Sequence, residues 1–83
     1  MREGESTRAR VFRFVVKYMT ENGGRPPAIR EIMEGVALPS TSNVRYHLVR
    51  LERDGRLRLR KGEPRGIEVV ESITTFTFYG SLE

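Results

Sequence analysis

Between Pro39 and Gly66 the sequence reads PSTSNVRYHLVRLERDGRLRLRKGEPRG, and its cations are Arg45, Arg50, Arg53, Arg56, Arg58, Arg60, Lys61 and Arg65. Only Glu52, Asp54 and Glu63 oppose them, so this third of the chain carries +5, whereas the whole 83-residue protein carries +4. Cations gathered this tightly are the electrostatic footprint of a surface that meets phosphates. The other reactive side chains lack the company that catalysis needs. His47 is the sole histidine, without a cysteine, a second histidine or a carboxylate pair, and a structural place at the edge of the core is expected for it. Ser40, Thr41 and Ser42 have no partnered base, which leaves helix capping and phosphate contact as their roles. Gly23-Gly24 stands outside any G-x-G-x-x-G frame and reads as a helix stop. No catalytic constellation emerges, and neither an enzyme nor a cofactor is expected.

The cations must be positioned by local structure, and the spacing says which. After the caps at Ser40 to Ser42, Val44, Leu48 and Leu51 recur at i, i+4 and i+7, the period of an amphipathic helix that Asp54-Gly55 ends. Beyond Gly55 the period becomes two: Leu57 and Leu59 alternate with Arg56, Arg58 and Arg60, as in a half-buried strand. Lys61-Gly62-Glu63-Pro64 supplies a turn, and Ile67, Val69 and Val70 a returning strand.

Two shorter elements precede this stretch. Ser6 or Thr7 can cap a first helix with Val11, Phe12, Val15, Val16 and Met19 on its apolar face, and Asn22-Gly23-Gly24 stops it. Arg25-Pro26-Pro27 forces an extended connection that can lie beside the hairpin as a short third strand. A second helix then carries Ile29, Ile32, Met33 and Val36 inward and ends near Gly35 to Ala37, where Leu38-Pro39 turns the chain into the third helix. Leu38, Leu48, Leu51, Leu57 and Ile67 are expected to close the core. The fold class is therefore mostly α with a small β-hairpin: a three-helix winged helix-turn-helix over residues 1–71.

Composition narrows the function further. One domain of this size buries roughly 60–65% of its unfolded surface and has little core left to wall off a deep catalytic pocket. With no cysteine, disulfides and thiolate metal sites are excluded. The apolar run VFRFVV is far short of the ~20 residues that span a bilayer, and the charged start Met1-Arg2-Glu3-Gly4-Glu5 is no signal peptide. A soluble cytoplasmic protein is the default expectation. Of the fifteen basic residues only Lys17 and Lys61 are lysine; the clustering carries the inference, and the arginine preference does not.

Three segments, RPPAIREI at 25–32, STSNVRYHLVRLERDG at 40–55 and PRGIEVV at 64–70, together resemble the amino-terminal DNA-binding domain of the LexA family, bacterial SOS-response repressors. The likeness runs from about Val11 to Val70 with one inserted residue near Gly24. It implies a domain that binds operator DNA as a symmetric dimer, with the third helix in the major groove and the wing over flanking backbone. Carried over by position, Ser40, Ser42, Asn43, Arg45 and Tyr46 would read bases. Arg45 suits guanine and Asn43 adenine, each worth about 1–3 kcal/mol of discrimination. Thr41, Arg50, Arg53, Lys61 and Arg65 are the candidates for phosphate contacts, which position without specifying.

Two departures matter. Arg45-Tyr46 is bulkier than the pair many relatives carry, so the preferred operator need not be an SOS box. LexA repressors continue into a dimerising domain that cleaves itself with a serine and a lysine, whereas no lysine follows Lys61 here, and self-cleavage is not carried over. Within the tail at 72–83, Ser72 to Tyr79 are uncharged and β-prone, and the final FYGSLE resembles the segment just before the family's cleavage region. Such a tail either packs on its own domain or joins a second copy through Ile73, Phe76 and Phe78. The competing function is a winged helix that binds a protein partner, a repressor or RNA polymerase; it requires an apolar third-helix face, and Arg45 and Arg50 oppose it.

Overall fold

The structure, a computed structural model, describes residues 5–70. The tail at 72–83, with Ile73, Phe76 and Phe78, lies outside the described residues. Three helices and one hairpin follow in chain order: α1 (Thr7–Glu21), α2 (Ile29–Val36), α3 (Thr41–Arg53), β1 (Leu57–Leu59) and β2 (Ile67–Val69). This is the winged helix-turn-helix, mostly helical with a small antiparallel sheet, that the two periods in the sequence imply.

Each boundary has a local cause. Ser6 Oγ accepts from the Ala9 amide at 3.1 Å, and Ser40 Oγ accepts from the Asn43 amide at 3.2 Å, so each serine satisfies a donor left free at a helix start. At the start of α2 the cap runs the other way, with the Glu31 carboxylate accepting from the Ala28 amide at 2.7 Å. The end of α3 carries two crossed hydrogen bonds, Arg56 N to Leu51 O and Gly55 N to Glu52 O, both 3.0 Å, and Gly55 takes the φ of +81° that this closure requires. The end of α2 uses the same device with an alanine: Ala37 sits at φ 61°, ψ 49°, where a Cβ is disfavoured. Arg10 Nη2 of α1 donates to Val36 O at 3.0 Å, covering one of the carbonyls α2 leaves free.

The hairpin pairs Leu57 with Val69, Arg58 with Glu68 and Leu59 with Ile67. Arg60 N to Gly66 O (2.8 Å) and Val70 N to Arg56 O (2.9 Å) extend it at both ends. Glu52 of α3 accepts from the Leu59 amide at 3.0 Å, tying α3 to the edge of the wing.

Among the described residues the sheet has two strands, so the third strand allowed for Arg25-Pro26-Pro27 does not form. The donors explain it. Arg25 N bonds back to Asn22 O, both prolines lack an amide hydrogen, and Ala28 N is held by Glu31, which leaves the segment no free amide to donate to a strand.

Val11, Val15, Ile32, Val36, Val44, Leu48, Leu51, Leu57 and Ile67 form the buried core, with every element contributing. Leu38 is only partly buried against it, as are Phe12, Met19, Ile29 and Met33. Phe14, which falls off the apolar stripe read from the sequence, also packs on the core.

Candidate nucleic-acid interface

Helix α3 divides its residues by face. Val44, Leu48 and Leu51 are buried, whereas Ser40, Ser42, Arg45 and Tyr46 are exposed and Thr41 and Asn43 half-buried. The five residues nominated to read bases are thus gathered at the outward start of the helix. Ser40 combines two tasks, since its oxygen already accepts the capping bond and its hydroxyl hydrogen remains to donate. Tyr46 stands out at 53% exposure, with Arg50 one turn on. Arg50 Nη1 donates to the Tyr46 hydroxyl at 3.1 Å, and its guanidinium carbon lies 5.8 Å from the ring centroid.

The cations of the cluster separate into two groups. Arg58 and Arg60 flank Glu68 across the hairpin, at 3.6 and 3.3 Å, and Arg56 lies 5.3 Å over the Phe12 ring. Arg45, Arg53 and Lys61 are exposed and have no ion-pair partner among the described residues. Arg65 departs most from its nomination as a phosphate contact. Its Nη1 donates to Glu31 Oε1 (2.8 Å), Pro26 O (2.9 Å) and the Tyr18 hydroxyl (3.3 Å), all within the protein.

Between α3 and the wing runs a groove of about 300 Å³, whose lining includes the cations Arg45 and Lys61 and the apolar Leu48, Val49, Leu59 and Ile67. Val49 is 46% exposed, an outward apolar residue that the sequence reading passed over. Its position four residues after Arg45 was the available signal, because i and i+4 share a helix face.

His47 borders the core, half-buried, with Nδ1 unpartnered among the described residues. Burial lowers its pKa from the ordinary 6.5, and the charges of Arg8 and Arg50 push the same way, so it is held neutral. Glu31 is the opposite case. The Arg65 guanidinium, and after it the Ala28 amide, hold its carboxyl down from 4.5 to about 2 against the opposing effect of burial, with a lesser contribution from the Tyr18 hydroxyl. Among the described residues no cluster of histidine, cysteine and carboxylates could hold a metal ion, and no helix is long and apolar enough to cross a membrane.

An outward, base-sized set of side chains on the second helix of a helix-turn-helix, beside a cationic wing, finds its counterpart in known sequences. The family model for the LexA DNA binding domain matches residues 3–66. The chain belongs to this LexA DNA-binding domain family. A LexA repressor of Clostridium perfringens is 37% identical over 71 residues, covering 86% of this chain and 34% of the relative. The LexA repressor of Caldicellulosiruptor saccharolyticus is 46% identical over 61 residues, 74% of this chain and 30% of the relative. That of Staphylococcus aureus is 39% identical over 74 residues, 89% and 35%. The chain thus spans about a third of the length of the LexA repressors it matches.

Proposed function

We propose that this LexA-type domain is a sequence-specific, double-stranded-DNA-binding transcription regulator that represses by occupying a palindromic operator as a pair of copies. The observation that carries the reading is the set of unneutralised, exposed cations Arg45, Arg53 and Lys61, spread over α3 and the wing. In this assignment α3 enters the major groove, where Ser40, Ser42, Asn43, Arg45 and Tyr46 read base edges. Thr41, Arg50, Arg53 and Lys61 meet phosphates and set the register. One winged domain makes few contacts, so two-fold symmetry on a two-fold site is the economical way to reach operator affinity.

Residues 1–71 are proposed as the DNA-binding unit and 72–83 as the segment that joins copies through Ile73, Phe76 and Phe78. Deleting 72–83 then lowers operator affinity and moves the sizing profile toward monomer; two unchanged measurements dismiss that role. A protein-binding reading draws on Val49 and the apolar wall of the groove. Titrating random duplex at several salt concentrations separates the two, because counterion competition must weaken phosphate binding steeply. Affinity for duplex that is absent or indifferent to salt rejects the DNA reading, and selection from a random duplex library then gives the operator.

A further inference from the structure

Glu31 draws together parts of the chain that are remote in sequence. Its Oε1 accepts from the Ala28 amide (2.7 Å) and from Arg65 Nη1 (2.8 Å), while its Oε2 accepts from the Tyr18 hydroxyl (3.1 Å) of α1. Arg65 reaches this carboxylate from the wing, across 34 residues, and the same Nη1 also donates to Pro26 O. The first helix, the proline connection, the start of α2 and the wing therefore converge on one carboxylate.

The wing has need of such a fixture. Its strands are three residues each, and a two-stranded hairpin that short is marginal by itself. Leu57 and Ile67 hold its base to the core, Arg56 lies over Phe12 of α1 beside that base, and Glu52 of α3 holds one edge at Leu59. Arg65 ties the far side of the turn to Tyr18 of α1, Pro26 and Glu31 of α2. It follows the turn that carries Lys61, so only three residues separate the anchored arginine from the exposed lysine. The side chains of the pair are 34% and 38% exposed, and an ion pair so open to water adds little to global stability. Its effect is on where the wing stands.

We propose that Glu31 and Arg65 form a wing anchor: they are positioning residues that fix Lys61 relative to Arg45 across the groove, and Arg65 acts through Glu31 without being a phosphate ligand. The inference rests on the DNA-binding reading for its functional consequence, though not for its structural one.

Two measurements on the full chain test it, with Arg65→Gln, Glu31→Gln, the double variant, and each single variant combined with Lys61→Ala. The first is amide hydrogen exchange without DNA. The Leu59 and Arg60 amides are expected to exchange faster in both single variants while the α3 core amides keep their protection; unchanged wing exchange overturns the anchor whether or not the chain binds DNA.

The second is duplex affinity across salt concentrations. Each single variant is expected to bind the selected operator several-fold more weakly, the double variant no more weakly than either, and the loss caused by Lys61→Ala to shrink in both variant backgrounds. A drop of about one unit in salt slope for Arg65→Gln, with Glu31→Gln unchanged, would identify Arg65 as a phosphate ligand and reject the proposal. Wild-type chain that binds no duplex, with wing exchange still accelerated in the variants, would reject the function and keep the anchor.

Discussion

Arg50 lies against Tyr46, donating to its hydroxyl at 3.1 Å with the guanidinium carbon 5.8 Å from the ring centroid. One of these residues is assigned to bases and the other to phosphate, so the contact couples reading to positioning. An exposed cation over a ring is worth about 0.5–1 kcal/mol. Tyr46→Phe keeps the ring and loses the acceptor; Tyr46→Ala loses both. Operator affinity is expected to fall less for the first than for the second, and Tyr46→Phe is expected to be neutral once Arg50 is alanine. Simple additivity of the two changes in a double-mutant cycle would show that they act separately.

Arg45 of α3 and Lys61 of the hairpin turn both line the groove, and both are unneutralised among the described residues. They are nevertheless expected to fail differently. Arg45→Ala relaxes base preference at one position of the operator, with about 1–3 kcal/mol less discrimination. Lys61→Ala weakens every duplex alike and flattens the salt slope by about one unit. Binding to a panel of single-base operator variants checks both, and uniform scaling by the two substitutions would contradict the division into readers and positioners.

Gly35 of α2 lies so near the Phe14 ring of α1 that a β-carbon there would overlap it. The close approach is what seats Phe14 on the core despite its place off the apolar stripe. Gly35→Ala should therefore lower stability by about 1 kcal/mol in urea unfolding, because the ring must leave its packing and its contact with Tyr18. In a Phe14→Ala background the same change meets no ring and gains the helix preference of alanine, about 0.5–1 kcal/mol. A loss of equal size in both backgrounds would place the constraint elsewhere.

Acid should act in two windows. His47 has a folded pKa below its ordinary 6.5, so its unfolded form takes up a proton first, and stability present above pH 6.5 is lost as pH falls through the lower folded value. Glu31 also has a depressed folded pKa, and its contribution is intact above pH 4.5 and lost as pH falls from 4.5 toward about 2. Melting temperature measured against pH should show the upper step, missing in His47→Gln; the lower one is small in melting temperature because the Glu31–Arg65 pair is open to water, and is read by NMR titration of the Glu31 carboxyl. A direct NMR titration placing His47 at or above 6.5 would contradict the first.

Much of the scaffold was legible because its signals are local. Ser40 three residues before Asn43, Gly55 after the last turn of α3, and the change from Val44-Leu48-Leu51 to Leu57-Leu59 spacing each report on a few neighbouring bonds. The same periodicity placed Arg45 and Tyr46 outside. It places Val49 outside too, since Val49 lies one turn beyond Arg45 on the same face.

Sequence by itself determined the order of elements, the face of α3 turned to solvent, and the position of the charge, since these follow from period, caps and composition within a few residues. Only the tertiary structure decided which charges remain to meet a partner. Arg58 and Arg60 are drawn to Glu68 by strand register, and Arg65 is drawn to Glu31 by the way the wing folds back beside α2. An ion pair depends on distance in space, and residues 34 apart carry no local mark of meeting.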